Sequence, residues 1–486
     1  MRLGRWASLA LCIAAAALLL TGAAVADAPL EGLDAVIASK ASEPVSILSR
    51  LQSLIGIPIM LGLAWLLSAD RKRVPWRVIG WGLGLQFVFA LIVLKTAPGA
   101  WLFDQLNVVV MTLLGYSTEG ARFIFGGLVD HVVPVGTPDP TDPFGPLVPS
   151  ADAGGAPLLA ATGSYFAFNV LPTIIFFSAL MAVLYHLGVM QLLVRAMGWV
   201  MYRTMGTSGA ESLSAAANIF VGQTEAPLVI KPYVQDMTMS ELNAVMTGGF
   251  ATVAGGVMAA YVGMLSGVFP DIAGHLIAAS VMSAPAALVI AKIMWPETET
   301  ARTAGEFTLD IESTDINVVD AAARGAGEGL KLALNVGAML LAFIALVALA
   351  NGLLGAASTL FGIDNPLTLE RIVGVVFWPL AWAMGVPAAE CAAVGELLGI
   401  KMILNEFVAY LKLAQMSGDL SRRSMIIVTY ALCGFANLGS IGIQLGGIGS
   451  IAPSRRSDLA KLGVRAMIAG TLAAFLTANI AGTLLS

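Results

Sequence analysis

The stretch from Asn218 to Tyr233 reads N-I-F-V-G-Q-T-E-A-P-L-V-I-K-P-Y. It sits among long apolar runs, yet it sets Asn218, Gln223, Thr224 and Glu225 beside Gly222 and Pro227. A helix crossing lipid satisfies its own backbone, and a polar, Gly/Pro-broken segment cannot do so. Irregular backbone at membrane depth is tolerated only where it is buried in protein or lines a wet cavity. The reading is therefore a hairpin, spanning 207–232, that enters the membrane and turns back. A second segment, 387–413, follows the same pattern, with G-I-K-M-I-L-N-E-F-V-A-Y over Gly399–Tyr410 at its centre.

The surroundings decide that this is membrane rather than a soluble core. Hydrophobic residues make up 58% of the 486 and charged residues 12%, and the mean hydropathy is +0.84. Apolar runs of spanning length recur, which identifies a polytopic membrane protein. The formal net charge of -5 carries little information, because most charges fall in loops. Cys12, Cys391 and Cys433 form no disulfide framework or metal spacing. His131, His186 and His275 are scattered, and no H-E-x-x-H, P-loop or G-x-S-x-G pattern occurs. The residues therefore point away from an enzyme, and no nucleic-acid partner is expected.

Residues 1–26 resemble a signal peptide. Arg2 and Arg5 precede the apolar run 6–20, and Ala24-Val25-Ala26 before Asp27 marks a cleavage site. The alternative is an uncleaved first membrane helix. Lys and Arg in short loops mark the cytoplasmic side. Arg71, Lys72, Arg73 and Arg77 follow the run 51–68, so that span runs inward, and 78–94 returns. The acidic segment 96–164 is then external. Its first part is expected as an interfacial amphipathic helix and 133–156 as loop. Spans at 165–187, 242–268, 275–295, 332–354, 425–446 and 466–485 complete eight, with 297–325 a cytoplasmic loop and 366–384 interfacial. Arg422 and Arg423 fall on the outer side of the seventh span and run against the pattern. The expected fold is all-α, with eight transmembrane helices and two re-entrant hairpins.

The order hairpin, span, span recurs, over 201–296 and 387–486, with the two hairpins entering from opposite sides. An N-terminal scaffold and external segment (27–200) and a linking region (297–386) fill the remainder. Paired interrupted segments in two inverted halves point to a transporter binding site. The spans that follow each hairpin are broken too, by Ala251-Thr252-Val253-Ala254-Gly255-Gly256-Val257 and by Gly434-Phe435-Ala436-Asn437-Leu438-Gly439-Ser440-Ile441-Gly442. Glycine weakens a helix by about 1 kcal/mol per site relative to Ala, so both clusters favour unwinding. Glu225 and Glu406 are the costly residues, because a charge at membrane depth costs about 2.5–3.5 kcal/mol even on the lenient scale. Each is read as accepting hydrogen bonds from a polar solute, against the alternative of a structural pair with a distant cation. Gln223, Thr224, Asn437 and Ser440 are candidate solute contacts, against helix-to-helix bonding. Phe435 is a candidate platform for a ring, against simple packing.

Those motifs, A-N-I-F-V-G-Q-T-E-A-P, G-I-K-M-I-L-N-E-F-V-A-Y and G-F-A-N-L-G-S-I-G-I, resemble the signatures of the concentrative nucleoside transporter family. The resemblance covers about residues 50–486. It implies a sodium-coupled nucleoside importer, built as a homotrimer. Gln223, Thr224 and Glu225 would face the base, and Glu406, Asn437 and Ser440 the ribose. The sodium ligands it implies are the side chains of Asn218 and Thr252 and the carbonyls of Val253 and Val257. Proton-coupled members would call for loss of the Asn at 218, which this chain keeps. The alternative is a proton-coupled carrier of nucleosides or another small polar solute, with Glu225 or Glu406 as the proton site. The expected location is a bacterial inner membrane.

Overall fold

The computed structural model describes residues 47–130, 132–134, 136–137, 148–149, 159–161, 166–305, 315–362 and 367–485. The signal-like segment 1–26, His131, most of the expected loop 133–156 and residues 306–314 lie outside the described residues. In chain order the longer helices are α1 (Ile47–Leu66), α2 (Trp76–Lys95), α3 (Ala97–Phe125), α4 (Leu171–His186) and α5 (Val189–Met205). The first repeat follows as α6 (Gly209–Ala217), α7 (Met239–Ala251), α8 (Gly255–Leu265) and α9 (Ile272–Met294). Then come α10 (Val318–Leu360) and α11 (Leu369–Ala383). The second repeat is α12 (Cys391–Ile403), α13 (Glu406–Gln415), α14 (Arg422–Leu432), α15 (Leu438–Ile451) and α16 (Arg456–Leu484).

Among the described residues eight helical stretches are long and apolar enough to cross a membrane, but their membership differs from the eight expected spans. The stretch Ala97–Val129 qualifies by length and composition, where an interfacial helix was expected. The expected span 425–446 is broken where its glycine cluster falls, into α14 and α15, parted at 433–437, and so is not among the eight. Two small antiparallel pairings occur in and beside the expected loop 133–156. Val132–Pro134 pairs with Leu159–Ala161, and Gly136–Thr137 with Val148–Pro149.

Local sequence explains where the first repeat begins. Ser208 and Glu211 form a capping box at the start of α6, and Thr238 and Glu241 form another at the start of α7. Each box satisfies amide groups that a helix start leaves open. The two boxes are tied together by Ser208 Oγ donating to Glu241 Oε1 at 2.6 Å. Lys292, near the end of α9, pairs with Glu211 at 2.7 Å and donates to Ser240 Oγ at 2.9 Å. A buried charge demands such a partner, and here the demand fixes the base of the first hairpin to α7 and α9.

The repeat helices form the core. Nearly every residue of α7, α9 and the inner part of α16 is buried, whereas α1 and α2 bury one side only. Helix α1 packs on α16, α2 on α9, and α4 on α10. The last contact is close because Gly325 and Gly329 of α10 lie against Ser178, Ala182 and Ile175, where an added Cβ would stand within 3 Å of them. Small residues four apart are how helices approach in lipid, where no hydrophobic force drives them together.

Arg422 and Arg423, which run against the charge pattern, have specific acceptors. Arg422 pairs with Asp271 at 2.6 Å. Arg423 is buried and donates to the carbonyls of Ser49 (2.8 Å), Gly385 (3.2 Å) and Gly482 (2.8 Å) and to Ser53 Oγ (2.7 Å). These two cations therefore serve as helix-end fasteners, which removes their weight as topology signals.

Candidate functional site

Helix α6 stops at Asn218, and the chain runs irregularly to a 3-10 turn at Ala226–Ile230. Pro227 near the start of that turn lacks an amide, which fits an entry position but not a helix interior. In the second hairpin α12 ends at Ile403, and α13 restarts at Glu406 with Asn405 as its cap. The Asn405 side chain accepts from the Val408 amide at 2.9 Å. Asn437 repeats the device at the start of α15, accepting from the Ser440 amide at 2.9 Å. Both expected turn-backs are thus breaks between helices, and both broken spans are broken where the glycine clusters fall.

The two span breaks meet. The Phe435 amide donates to the Thr252 carbonyl at 3.3 Å. Gly434 adopts φ 141, and a Cβ there would lie 2.7 Å from the Phe250 carbonyl oxygen, so glycine is required twice over. Around this crossing stand the side chains picked out from the sequence. Glu406 is 4% exposed; its Oε1 accepts from the Tyr261 hydroxyl at 2.9 Å and its Oε2 from Asn437 Nδ2 at 3.0 Å. Gln223 Nε2 donates to Ser440 Oγ at 3.2 Å, which joins the first hairpin tip to the start of α15. Thr224 donates to Glu225 Oε1 at 2.9 Å, and Glu225 is exposed. Phe435 is half-buried beside Asn437. The seven residues expected to face solute thus fall on two hairpin tips and one span break, linked by bonds across the repeats.

Some members of this site had no strong signal in the sequence. Gln444 of α15 donates to Gln223 Oε1 at 3.0 Å and to the Met246 carbonyl at 3.0 Å. Its only local signal is an amide inside an apolar run. Tyr261 had none, since its hydroxyl meets Glu406 from 145 residues away.

The four residues expected to hold sodium also lie together on adjoining elements. Asn218 is fully buried; its Nδ2 donates to the Ser214 carbonyl at 3.0 Å, while its Oδ1 has no hydrogen-bond partner. Gly248 of α7 leaves room for it, since an added Cβ would come 3.2 Å from Asn218 Nδ2. The Thr252 hydroxyl donates to that same Gly248's carbonyl at 2.8 Å. In an unbroken helix the Val257 amide would reach the Val253 carbonyl; here it goes to Ala254 at 3.0 Å. Helices α6 and α7 both end here, and helix C-termini carry partial negative charge. A buried amide oxygen without a donor, neutral hydroxyl and carbonyl oxygens, and two negative helix ends suit a hard monovalent cation. Among the described residues no group of His, Cys, Asp and Glu could hold a transition metal.

Comparison with known proteins identifies the family. Residues 55–128 match the family profile "Na+ dependent nucleoside transporter N-terminus", 167–267 match "Nucleoside recognition", and 275–482 match "Na+ dependent nucleoside transporter C-terminus". The uncharacterized transporter YutK of Bacillus subtilis is 46% identical over 433 residues, covering 89% of this chain and 98% of that one. Human solute carrier family 28 member 3 is 42% identical over 455 residues, which is 90% of this chain and 60% of that longer one. Rat sodium/nucleoside cotransporter 1 is 42% identical over 452 residues, 90% of this chain and 64% of that one. Among solved structures, CNTnw in an inward-facing substrate-bound state is 43% identical with a TM-score of 0.77, covering 90% of this chain and 98% of that one.

Proposed function

The chain belongs to the sodium-dependent nucleoside transporter family, and from that premise we propose that it imports nucleosides in symport with sodium by alternating access. It is an integral membrane transporter and not an enzyme. In the proposed cycle sodium binds between the Asn218 and Thr252 side chains and the Val253 and Val257 carbonyls. Its charge orders the first hairpin tip, which completes the solute site. Gln223, Thr224 and Glu225 then bind the base. Glu406, Asn437 and Ser440 hold the ribose, and Phe435 packs on the solute. A carboxylate accepts from two ribose hydroxyls, while Gln and Thr both donate and accept along a base edge. The two hairpins are read as re-entrant from opposite faces, so movement of the part that carries them exchanges which face is open.

The energetics are adequate. One charge crossing the membrane yields about 2.3 kcal/mol per 100 mV, and a tenfold sodium gradient adds about 1.4 kcal/mol. One sodium per neutral nucleoside then supports accumulation of about a few hundredfold. The location proposed is a bacterial inner membrane, with a cleaved signal peptide at 1–26 and a homotrimeric assembly.

The unpartnered Asn218 Oδ1 is the observation that carries the ion assignment, because a buried oxygen without a donor costs about 1–3 kcal/mol unless something fills the place. The test is uptake of labelled uridine and adenosine into proteoliposomes, with and without an inward sodium gradient, for wild type and Asn218→Ala. Sodium-driven uptake that loses its sodium response in the variant supports the reading. Uptake indifferent to sodium but driven by a pH gradient would replace it with proton coupling at Glu225 or Glu406.

A further inference from the structure

Lys401 lies in α12, one turn before the break of the second hairpin, and it is 0% exposed. Its Nζ donates to the Ala431 carbonyl at 2.9 Å, in the last turn of α14. The hydroxyl of Tyr410, from the other arm of the same hairpin, donates to the Thr429 carbonyl at 2.8 Å. Both arms thus cap the end of α14, directly before Cys433 and the Gly434–Asn437 break. Glu406, just across the break at the start of α13, is buried as well. None of the salt bridges among the described residues takes Lys401 as a partner.

The first repeat has the same arrangement without the cation. There the hairpin's first arm, α6, ends at Asn218, which lies against Gly248 near the end of the first half-span, α7. Beside the end of that half-span stands a neutral amide: its Nδ2 lies toward Gly248 and donates to the Ser214 carbonyl, and its Oδ1 lacks a donor. In the second repeat the first arm, α12, brings a tethered ammonium to the end of its half-span, α14. The two places correspond in element order: first arm, break, second arm, half-span, break.

We propose that the Lys401 ammonium is a resident cation standing, in the second repeat, where the first repeat offers its place to a free ion. It acts as a positioning residue. It holds the end of α14, and through it the 434–437 turn that presents Phe435 and Asn437, and it offsets the Glu406 carboxylate from behind. The first repeat can then open its tip when its ion leaves, while the second keeps its cation throughout the cycle. This rests on the proposed nucleoside site, and it assigns one sodium per cycle to the first repeat alone.

The test uses the full chain, purified and reconstituted, with Lys401→Met to remove the charge and keep the stem, and Lys401→Arg to keep the charge. Expected for Lys401→Met is a rise of about tenfold or more in the nucleoside KM, the scale of a lost charge-assisted bond. The maximal rate and the sodium concentration for half-maximal uptake should move by less than about threefold. Lys401→Arg should hold the KM within about threefold of wild type. Equilibrium nucleoside binding to the monodisperse fraction gives the same comparison in detergent, and Lys401→Gln replaces the Met variant if that one does not fold. An unchanged nucleoside KM in Lys401→Met overturns the inference, as does equal impairment of the Met and Arg variants, which would make the charge irrelevant. Wild-type uptake separates the two claims. Absence of nucleoside uptake by wild type counts against the proposed function, whereas normal wild-type uptake with an indifferent Lys401→Met counts against this inference alone.

Discussion

At the first hairpin tip the Asn218 side-chain oxygen lacks a donor and Glu225 is an exposed residue. At the second, Lys401 and Glu406 are both buried, and both oxygens of Glu406 already accept hydrogen bonds. Two segments of similar pattern therefore differ in what they leave open. The first leaves a buried side-chain oxygen without a donor, and the second is closed by its own side chains. On the function proposed above, that difference gives switching to the first repeat and holding to the second, although the two have the same order of elements.

Substitutions at the second tip should break this contrast most strongly. Glu406→Ala removes two accepted bonds and strands the Tyr261 hydroxyl and the Asn437 amide. Bonds to a charged group contribute about 1.5–3 kcal/mol each, so nucleoside uptake efficiency should fall by about 100-fold or more in transport assays. Asn218→Ala comes next. Sodium-driven accumulation should collapse toward simple equilibration, read as the loss of the sodium-dependent component while nucleoside binding at high concentration persists.

Smaller effects sharpen the comparison. Gln444→Leu removes the bond to Gln223 Oε1 and the bond to the Met246 carbonyl, leaving Gln223 held by Ser440 alone. A neutral bond contributes about 0.5–1.5 kcal/mol, so binding should weaken by about three- to tenfold, with sodium affinity little changed. Gly329→Leu, at the contact of α10 with α4, should leave nucleoside affinity intact. It should lower the melting temperature of the purified protein by several degrees, because overpacking costs about 1–3 kcal/mol and Gly329 has Ile175 Cα where the new Cβ would go. A drop in nucleoside affinity with no change in melting temperature would put α10 into the site and blur the contrast.

The sequence shows the broken segments directly, because Gly, Pro and polar residues inside apolar runs contradict the demands of lipid. It shows the two glutamates for the same reason, since cost at membrane depth singles them out one residue at a time. Partnership is what local pattern cannot show. Tyr261 reaches Glu406 across 145 positions and Gln444 reaches Gln223 across 221. The seventh span shows its break through Gly434, Asn437, Gly439 and Ser440, and the Asn437 cap fixes where the second half restarts. Ala97–Val129 is long and apolar enough to pass for a span, so its place at the surface or across the membrane depends on packing and not on composition.

Helix α10 runs for 43 residues, Val318–Leu360, a rod of about 65 Å at 1.5 Å per residue. The hydrocarbon layer is about 30 Å thick. Its apolar part, 332–354, is itself about 35 Å long, so it fits only when inclined. A rod in that situation leans more in a thin bilayer and stands up in a thick one. Because Gly325 and Gly329 lock α10 to α4, the lean of one helix is the lean of the pair. Lipid chain length thereby becomes a mechanical setting for the transporter, and proteoliposomes of graded thickness should show a turnover optimum at one of them.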